Sequence, residues 1–170
     1  MQQNKNQAPI NMKTDIKSFE IEDRVVQAVQ NFESGYNCAQ SVFLAYSDVI
    51  GLDFELAKNM SVSFGAGVGR MREICGTVSA MAMLAGFKYP VSDPNDLDAR
   101  TINYAMIQKM ADIFKNENQT IICRELLPET ETDTNPTPSV RDEEYYKRRP
   151  CSKYIADSAR IAGKMLKNEL

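Results

Sequence analysis

The sequence predicts an all-α fold, a single-domain bundle of about five to six helices. Apolar residues recur at three- and four-residue steps in successive stretches, the spacing of one face of a helix. No stretch alternates apolar with polar residues, and no hairpin signal or internal repeat occurs. At 170 residues, 43% hydrophobic and 25% charged, the chain suits one domain that buries about two-thirds of its unfolded surface.

Residues 1–14 are polar and lack the apolar density that would offset the entropy of ordering them. They are expected to form a flexible N-terminal tail ahead of a helical, cysteine-containing domain over 15–170. From about Phe19 to Phe32, the positions Ile21, Val25, Val26, Ala28, Val29 and Phe32 make one apolar face, and Ser34-Gly35 ends that helix. Asn37 caps a second helix, because Gln40, three residues on, can return a bond to the cap's own amide. Cys38 then takes the first helical position, and the helix is expected to run to Gly51. Asp53 caps a short third helix through Met60.

Phe64-Gly65-Ala66-Gly67-Val68-Gly69-Arg70 is a glycine-alternating loop. A dinucleotide-binding loop needs a preceding strand and a third glycine three residues after the second; here the lead-in is helical and that position holds Arg70. The glycines are expected instead to let the loop pack tightly beside Cys75. Thr77 to Gly86, small and apolar on most sides, is the expected central helix, with Met71, Met81, Met83 and Met106 filling core gaps near it. After the Pro90–Pro94 turn, Asp93 or Asn95 is the expected cap of a long helix to about Asn116 that buries Leu97, Ile102, Ala105, Met106, the stem of Lys109, Met110, Ile113 and Phe114. Thr120 to Leu127 is a short apolar turn carrying Cys123, stopped by Pro128. Prolines, threonines and acids dominate residues 128–144, and 128–150 is read as an irregular surface excursion. Cys151 opens a last amphipathic helix, with Ile155, Ala159, Ala162, Met165 and Leu166 on its buried face.

Net charge −3 and a pI near 5.1 give no electrostatic reason to expect nucleic acid or an anionic membrane as partner. No run approaches the ~18 apolar residues of a membrane span. The chain has no histidine, which removes Ser-His and Cys-His nucleophilic pairs, histidine acid–base work and histidine metal ligation together. Cysteine carries the strongest chemistry left. Four cysteines are too few for a disulfide-stapled scaffold, and the polar start Met1-Gln2-Gln3-Asn4 lacks the apolar run of a signal peptide, so a reducing, cytoplasmic setting is expected.

Cys38, Cys75 and Cys151 fall in the first turn of predicted helices, where unpaired amides and the helix dipole stabilise a thiolate. Arg70, Arg72, Arg124, Arg148 and Arg149 push the same way if they face the site. The cysteines include no Cys-x-x-Cys pair, so any shared site is assembled by the fold. Convergent, they can bind a metal, most usefully a [2Fe–2S] cluster with zinc fitting the same ligands, or exchange electrons through reversible disulfides. Dispersed, they are inert apolar groups in a non-catalytic helical binding or interaction domain.

Taken in order, Gly35-Tyr36-Asn37-Cys38-Ala39-Gln40, Phe64-Gly65-Ala66-Gly67 leading to Cys75-Gly76, Ile122-Cys123-Arg124-Glu125-Leu126-Leu127 and Cys151-Ser152-Lys153-Tyr154 form a recognisable pattern. It resembles the C_GCAxxG_C_C family of redox-active proteins over about residues 19 to 167. The resemblance implies a small helical protein whose redox role rests on Cys38, Cys75, Cys123 and Cys151, acting with an unknown redox partner. The chain departs from the family's central signature at Thr77 and Ala80, which replace smaller residues. A similar helical cysteine domain accompanies an iron–sulfur centre in split-Soret cytochrome proteins, which by analogy points to a cluster.

Overall fold

The computed structural model describes residues 16–170, so the tail expected over 1–14 lies outside the described residues. Within them the chain forms seven α-helices and no β-strand: α1 (Ile21–Glu33), α2 (Cys38–Leu44), α3 (Phe54–Ser61), α4 (Gly76–Lys88), α5 (Leu97–Asn118), α6 (Glu143–Arg148) and α7 (Cys151–Leu166). Two single 3₁₀ turns, Val62–Phe64 and Glu129–Glu131, complete the set. No helix among the described residues is long and apolar enough to cross a membrane.

Helix α4 is the axis of the bundle, packed against α2, α5 and α7, while α1 lies across α2 and α7. Its composition explains the position. Val78, Ala80, Met81, Leu84 and Ala85 are all buried, so apolar groups face almost every direction and the small ones let neighbours approach closely. Tyr46 ties the far side together. Its ring is fully buried and edge-on to Phe19, and its hydroxyl donates to the Ala159 carbonyl of α7 at 2.7 Å. Gly163 of α7 leaves room for that hydroxyl, which a Cβ there would meet at 2.6 Å.

The capping logic holds at α2 and α3. The Asn37 carboxamide oxygen accepts from the Ala39 and Gln40 amides at 3.1 and 3.0 Å, and Gln40 accepts from the Asn37 amide at 3.1 Å. Asp53 accepts from the Leu56 amide at 2.9 Å. Elsewhere the structure corrects the expectation. Helix α2 stops at Leu44 and not Gly51, because the Tyr46 and Ser47 amides bond only three residues back and the Ser47 hydroxyl takes the Leu44 carbonyl. Helix α5 is capped by Asp96, which accepts from Ala99, while Asp93 closes the preceding turn by accepting from Asn95. Leu97 and Ile102 are 66% and 56% exposed, not core. Ala105 is exposed as well, while Asn103 is buried and donates to the Tyr89 carbonyl at 2.9 Å, so the side of α5 that packs inward begins at Asn103 and continues through Met106 and Met110. Met71 is exposed too; Met81, Met83 and Met106 pack on the core as expected.

The 128–150 excursion is mostly exposed but not irregular throughout. Asp142 caps α6 by accepting from the Tyr145 amide at 2.8 Å, and Glu131, Tyr145 and Arg149 are buried. Tyr46→Phe is expected to cost about 1–2 kcal/mol, the net worth of a buried hydrogen bond, at an unchanged denaturant slope. Urea unfolding checks it, and an unmoved midpoint would show that the bond to α7 contributes nothing.

Candidate functional site

The segment from Ala66 to Arg72 sets the geometry of the site. Ala66, Gly67, Val68, Gly69, Arg70 and Arg72 all have φ between 54° and 71°, the left-handed region. For a residue with a Cβ that conformation costs about 1–2 kcal/mol, so Ala66, Val68, Arg70 and Arg72 together hold strain that surrounding contacts must offset. Gly67 makes the coil possible in two ways: it takes positive φ freely, and a Cβ there would lie 2.7 Å from the Cβ of Cys123. Gly65 backs onto the Asn37 side chain, with which a Cβ would collide.

Each cysteine is delivered by a different device. Cys38 opens α2, and its sulfur accepts from the Ala66 amide at 3.4 Å. Cys75 and Cys123 are linked through a single antiparallel bridge between Ile74 and Ile122. The Cys75 amide donates to the Ile121 carbonyl at 2.8 Å, and the Cys123 amide to the Glu73 carbonyl at 2.6 Å. Cys151 opens α7. All four line one cavity of about 50 Å³, with Phe32, Leu126, Leu127, Tyr145 and Tyr154 among its apolar walls and Arg72, Arg141 and Arg149 as its charges.

Close approach is enforced at Gly76. A Cβ there would lie 2.6 Å from the Cys38 sulfur and 2.7 Å from the Phe64 carbonyl oxygen, so only glycine after Cys75 leaves Cys38 its place. Thr77, standing in for a smaller residue, is fully buried with its hydroxyl 3.3 Å from the Cys75 sulfur. All four thiols are free, and among the described residues no group of three or more cysteine, aspartate or glutamate side chains is spaced to hold a metal ion.

The thiolate-stabilising effect expected at helix starts does not prevail. Burial pushes the Cys75, Cys123 and Cys151 thiols above their ordinary value near 9, Cys151 to about 12, and the Cys38 sulfur adds to the rise at each. Removing a charged sulfur from water costs more than the helix dipole returns in an enclosed site. Arg72 opposes the rise at Cys123 through its charge and as a donor available to the sulfur once it is ionised, and with Arg149 opposes it at Cys151. The other three candidate arginines face elsewhere. Arg70 binds the Asp133 carboxylate at 2.9 Å and the Asn135 carbonyl, Arg148 binds Glu131 at 2.9 Å, and Arg124 pairs with Glu73.

These arginines fasten the excursion over the mouth of the cavity. Glu131 is buried against Arg149 at 2.6 Å; burial opposes its ionisation, but hydrogen bonds from Arg148 and Arg149 hold its carboxyl below the usual range. Arg72 donates through Nε to the Asp133 carbonyl at 2.9 Å. Arg141 lies over the Phe32 and Tyr145 rings at 5.0 and 5.6 Å and donates to the Phe32 and Tyr36 carbonyls. Nothing in the sequence marks Glu131 or Arg141 as part of a site, and Thr77 stood out only as a departure from the signature the chain resembles; the one available signal for Glu131 was the Arg148-Arg149 pair beside Cys151, which needs an acidic partner once buried.

The sequence model of one protein family, described as "Putative redox-active protein (C_GCAxxG_C_C)", matches residues 36–165, a span that holds all four cysteines. None of the curated proteins and none of the solved structures compared with the chain matches it.

Gly76→Ala is expected to lower stability by about 1–3 kcal/mol, the usual cost of overpacking, and to change the alkylation rate of Cys38, whose sulfur must move. An unchanged urea midpoint with an unchanged rate would contradict the contact. The raised thiols also dictate a pH dependence. Below their ordinary value both folded and unfolded chains keep these protons; as pH rises past it the unfolded chain releases them first, so stability falls. The slope reaches about 1.4 kcal/mol per pH unit for each thiol still protonated in the fold. Urea unfolding across the alkaline range checks this, with Cys75→Ala expected to flatten the decline and parallel curves contradicting it.

Proposed function

The chain belongs to the family described as "Putative redox-active protein (C_GCAxxG_C_C)", and from that membership we propose that the cavity is a dithiol redox centre, with Cys38 as attacking sulfur and Cys75 as its resolving partner. The observation that carries the reading is the position of Cys38. It is partly exposed, it faces an N–H donor, and it lies against Gly76, next in sequence to Cys75.

Its partner in this reading is a disulfide compound or protein. The Cys38 thiolate attacks one substrate sulfur; a Cys38–substrate disulfide forms, the substrate S–S bond breaks, and the departing thiolate takes up a proton. Cys75, held as a neutral thiol until then, gives up its proton and attacks the Cys38 sulfur. The Cys38–Cys75 bond forms as the second substrate thiolate leaves and is protonated. Two electrons pass from the two cysteines to the two substrate sulfurs, and the reverse sequence restores the dithiol. Cys123 and Cys151, on the same cavity, form a second pair able to receive the disulfide by exchange.

A second reading rests on the number of thiols. Four cysteines are the ligand complement of a [2Fe–2S] cluster or a zinc ion, and Cys38, Cys75, Cys123 and Cys151 would hold it, the cluster supplying one-electron transfer. As placed, the sulfurs do not fit one metal ion, so loading requires them to draw together.

Thiol counting on reduced, metal-free protein equilibrated in graded dithiol–disulfide buffers tests the first reading. The expected outcome is reversible loss of thiols in pairs, with peptide mapping showing Cys38 joined to Cys75 and Cys38→Ser abolishing the linkage. Four free thiols in every buffer would overturn it. Stoichiometric iron or zinc in anaerobically purified protein, lost on substituting any one cysteine, would favour the metal reading instead.

A further inference from the structure

Dithiol exchange leaves one buried group of the cavity without a task. Arg72 is 1% exposed; its Nε is used by the Asp133 carbonyl, but Nη1 and Nη2 are buried with no hydrogen-bond partner. The nearest carboxylate, Asp133, stands 3.9 Å from Nη2, beyond hydrogen-bond reach. That carboxylate is held by both of its oxygens to Arg70, so it offsets the Arg72 charge from a distance and leaves the buried Nη1 and Nη2 hydrogens without an acceptor, a costly arrangement in an interior. The other cavity arginines are engaged, Arg149 by Glu131 and Arg141 by two backbone carbonyls. No carboxylate lines the cavity itself. Its guanidinium lies close enough to Cys123 to hydrogen-bond the sulfur when that is charged.

We propose that Arg72 anchors an anion subsite in the cysteine cavity, which takes a small carboxylate or inorganic oxyanion through Nη1 and Nη2 and holds it beside Cys123. The two-pronged guanidinium edge matches the paired oxygens of such a group, which a neutral or cationic ligand cannot do. Size agrees as well. A water occupies about 10–15 Å³ on the measure by which the cavity holds about 50 Å³, so a planar anion of about three or four heavy atoms fits with little to spare. The subsite does not depend on disulfide exchange; where a redox substrate carries a carboxylate, Arg72 would orient it.

The test uses the full chain, fully reduced, at constant ionic strength, with formate as the carboxylate probe, nitrate as the inorganic one and chloride as the reference. The expected result is a saturable rise in thermal midpoint with formate, nitrate or both, together with slower alkylation of Cys123. Arg72→Met should weaken that binding about tenfold or more, Arg72→Lys less, and the control Arg100→Met, at the start of α5 and away from the cavity, should leave it unchanged. No saturable effect beyond chloride would overturn the proposal and assign Nη1 and Nη2 to water or to the Cys123 thiolate; an Arg72→Met response equal to wild type would overturn it too. If Arg72→Met does not fold, protection of wild-type Cys123 by formate or nitrate but not chloride decides. Anion binding without reversible disulfides would sink the redox reading alone, and disulfides without anion binding would sink the subsite alone.

Discussion

Ala66 through Arg70, five consecutive residues in left-handed backbone, with Arg72 nearby in the same conformation, form the constraint on which the cavity depends. L-residues visit this region singly and seldom in a run, because each Cβ crowds the following carbonyl. Here the coil is held by backbone bonds that span it, among them Gly69 to Ser63 at 2.8 Å and Glu73 to Gly67 at 3.1 Å. Its handedness turns the Ala66 amide onto the Cys38 sulfur, lays Gly67 against Cys123, and sends Arg70 and Arg72 toward the excursion that covers the cavity. Strain of this kind persists where the surroundings over-determine it, and it concentrates at functional sites.

Burial, more than helix-end electrostatics, governs the thiols. Cys38, Cys75 and Cys151 do lie at helix starts, yet enclosure by walls that include Phe32, Leu126, Tyr145 and Tyr154 raises the thiols of Cys75, Cys123 and Cys151 above their ordinary value. Arg72 and Arg149 oppose that tendency without reversing it. The outcome is an asymmetric site, with Cys38 partly exposed against an amide donor and Cys75, Cys123 and Cys151 held with raised thiols. The excursion contributes Arg141, Tyr145 and Arg149 to the cavity wall, and Glu131 and Asp133 fasten it to arginines from two parts of the chain.

Much of this was legible in the residues, and what was not has identifiable causes. The capping box at Asn37 and Gln40 placed Cys38 at a helix start because its signal is local, two side chains three residues apart. The small, apolar run after Cys75 marked the central helix for the same reason. The exposure of Leu97 and Ile102 was hidden because their spacing is that of a buried face, whereas the structure turns Asn103, a polar residue, inward against the Tyr89 carbonyl. Glu131 was invisible because its partners, Arg148 and Arg149, are brought to it by the fold. The left-handed coil was foreshadowed by Gly65, Gly67 and Gly69, but nothing in Ala66, Val68, Arg70 or Arg72 announces positive φ, which those residues adopt under the pressure of contacts made elsewhere.

Proximity of Cys38 to the other cavity sulfurs is the claim on which the rest stands. Arsenite bridges thiols only when they already lie close together, and it is small enough to enter the cavity. Titrating the reduced, native chain with arsenite and mapping the adduct by mass spectrometry therefore tests the geometry without assuming any reaction. A stoichiometric adduct that links Cys38 with at least one of Cys75, Cys123 and Cys151 is the predicted result, and adducts that form only after the chain is unfolded would contradict it.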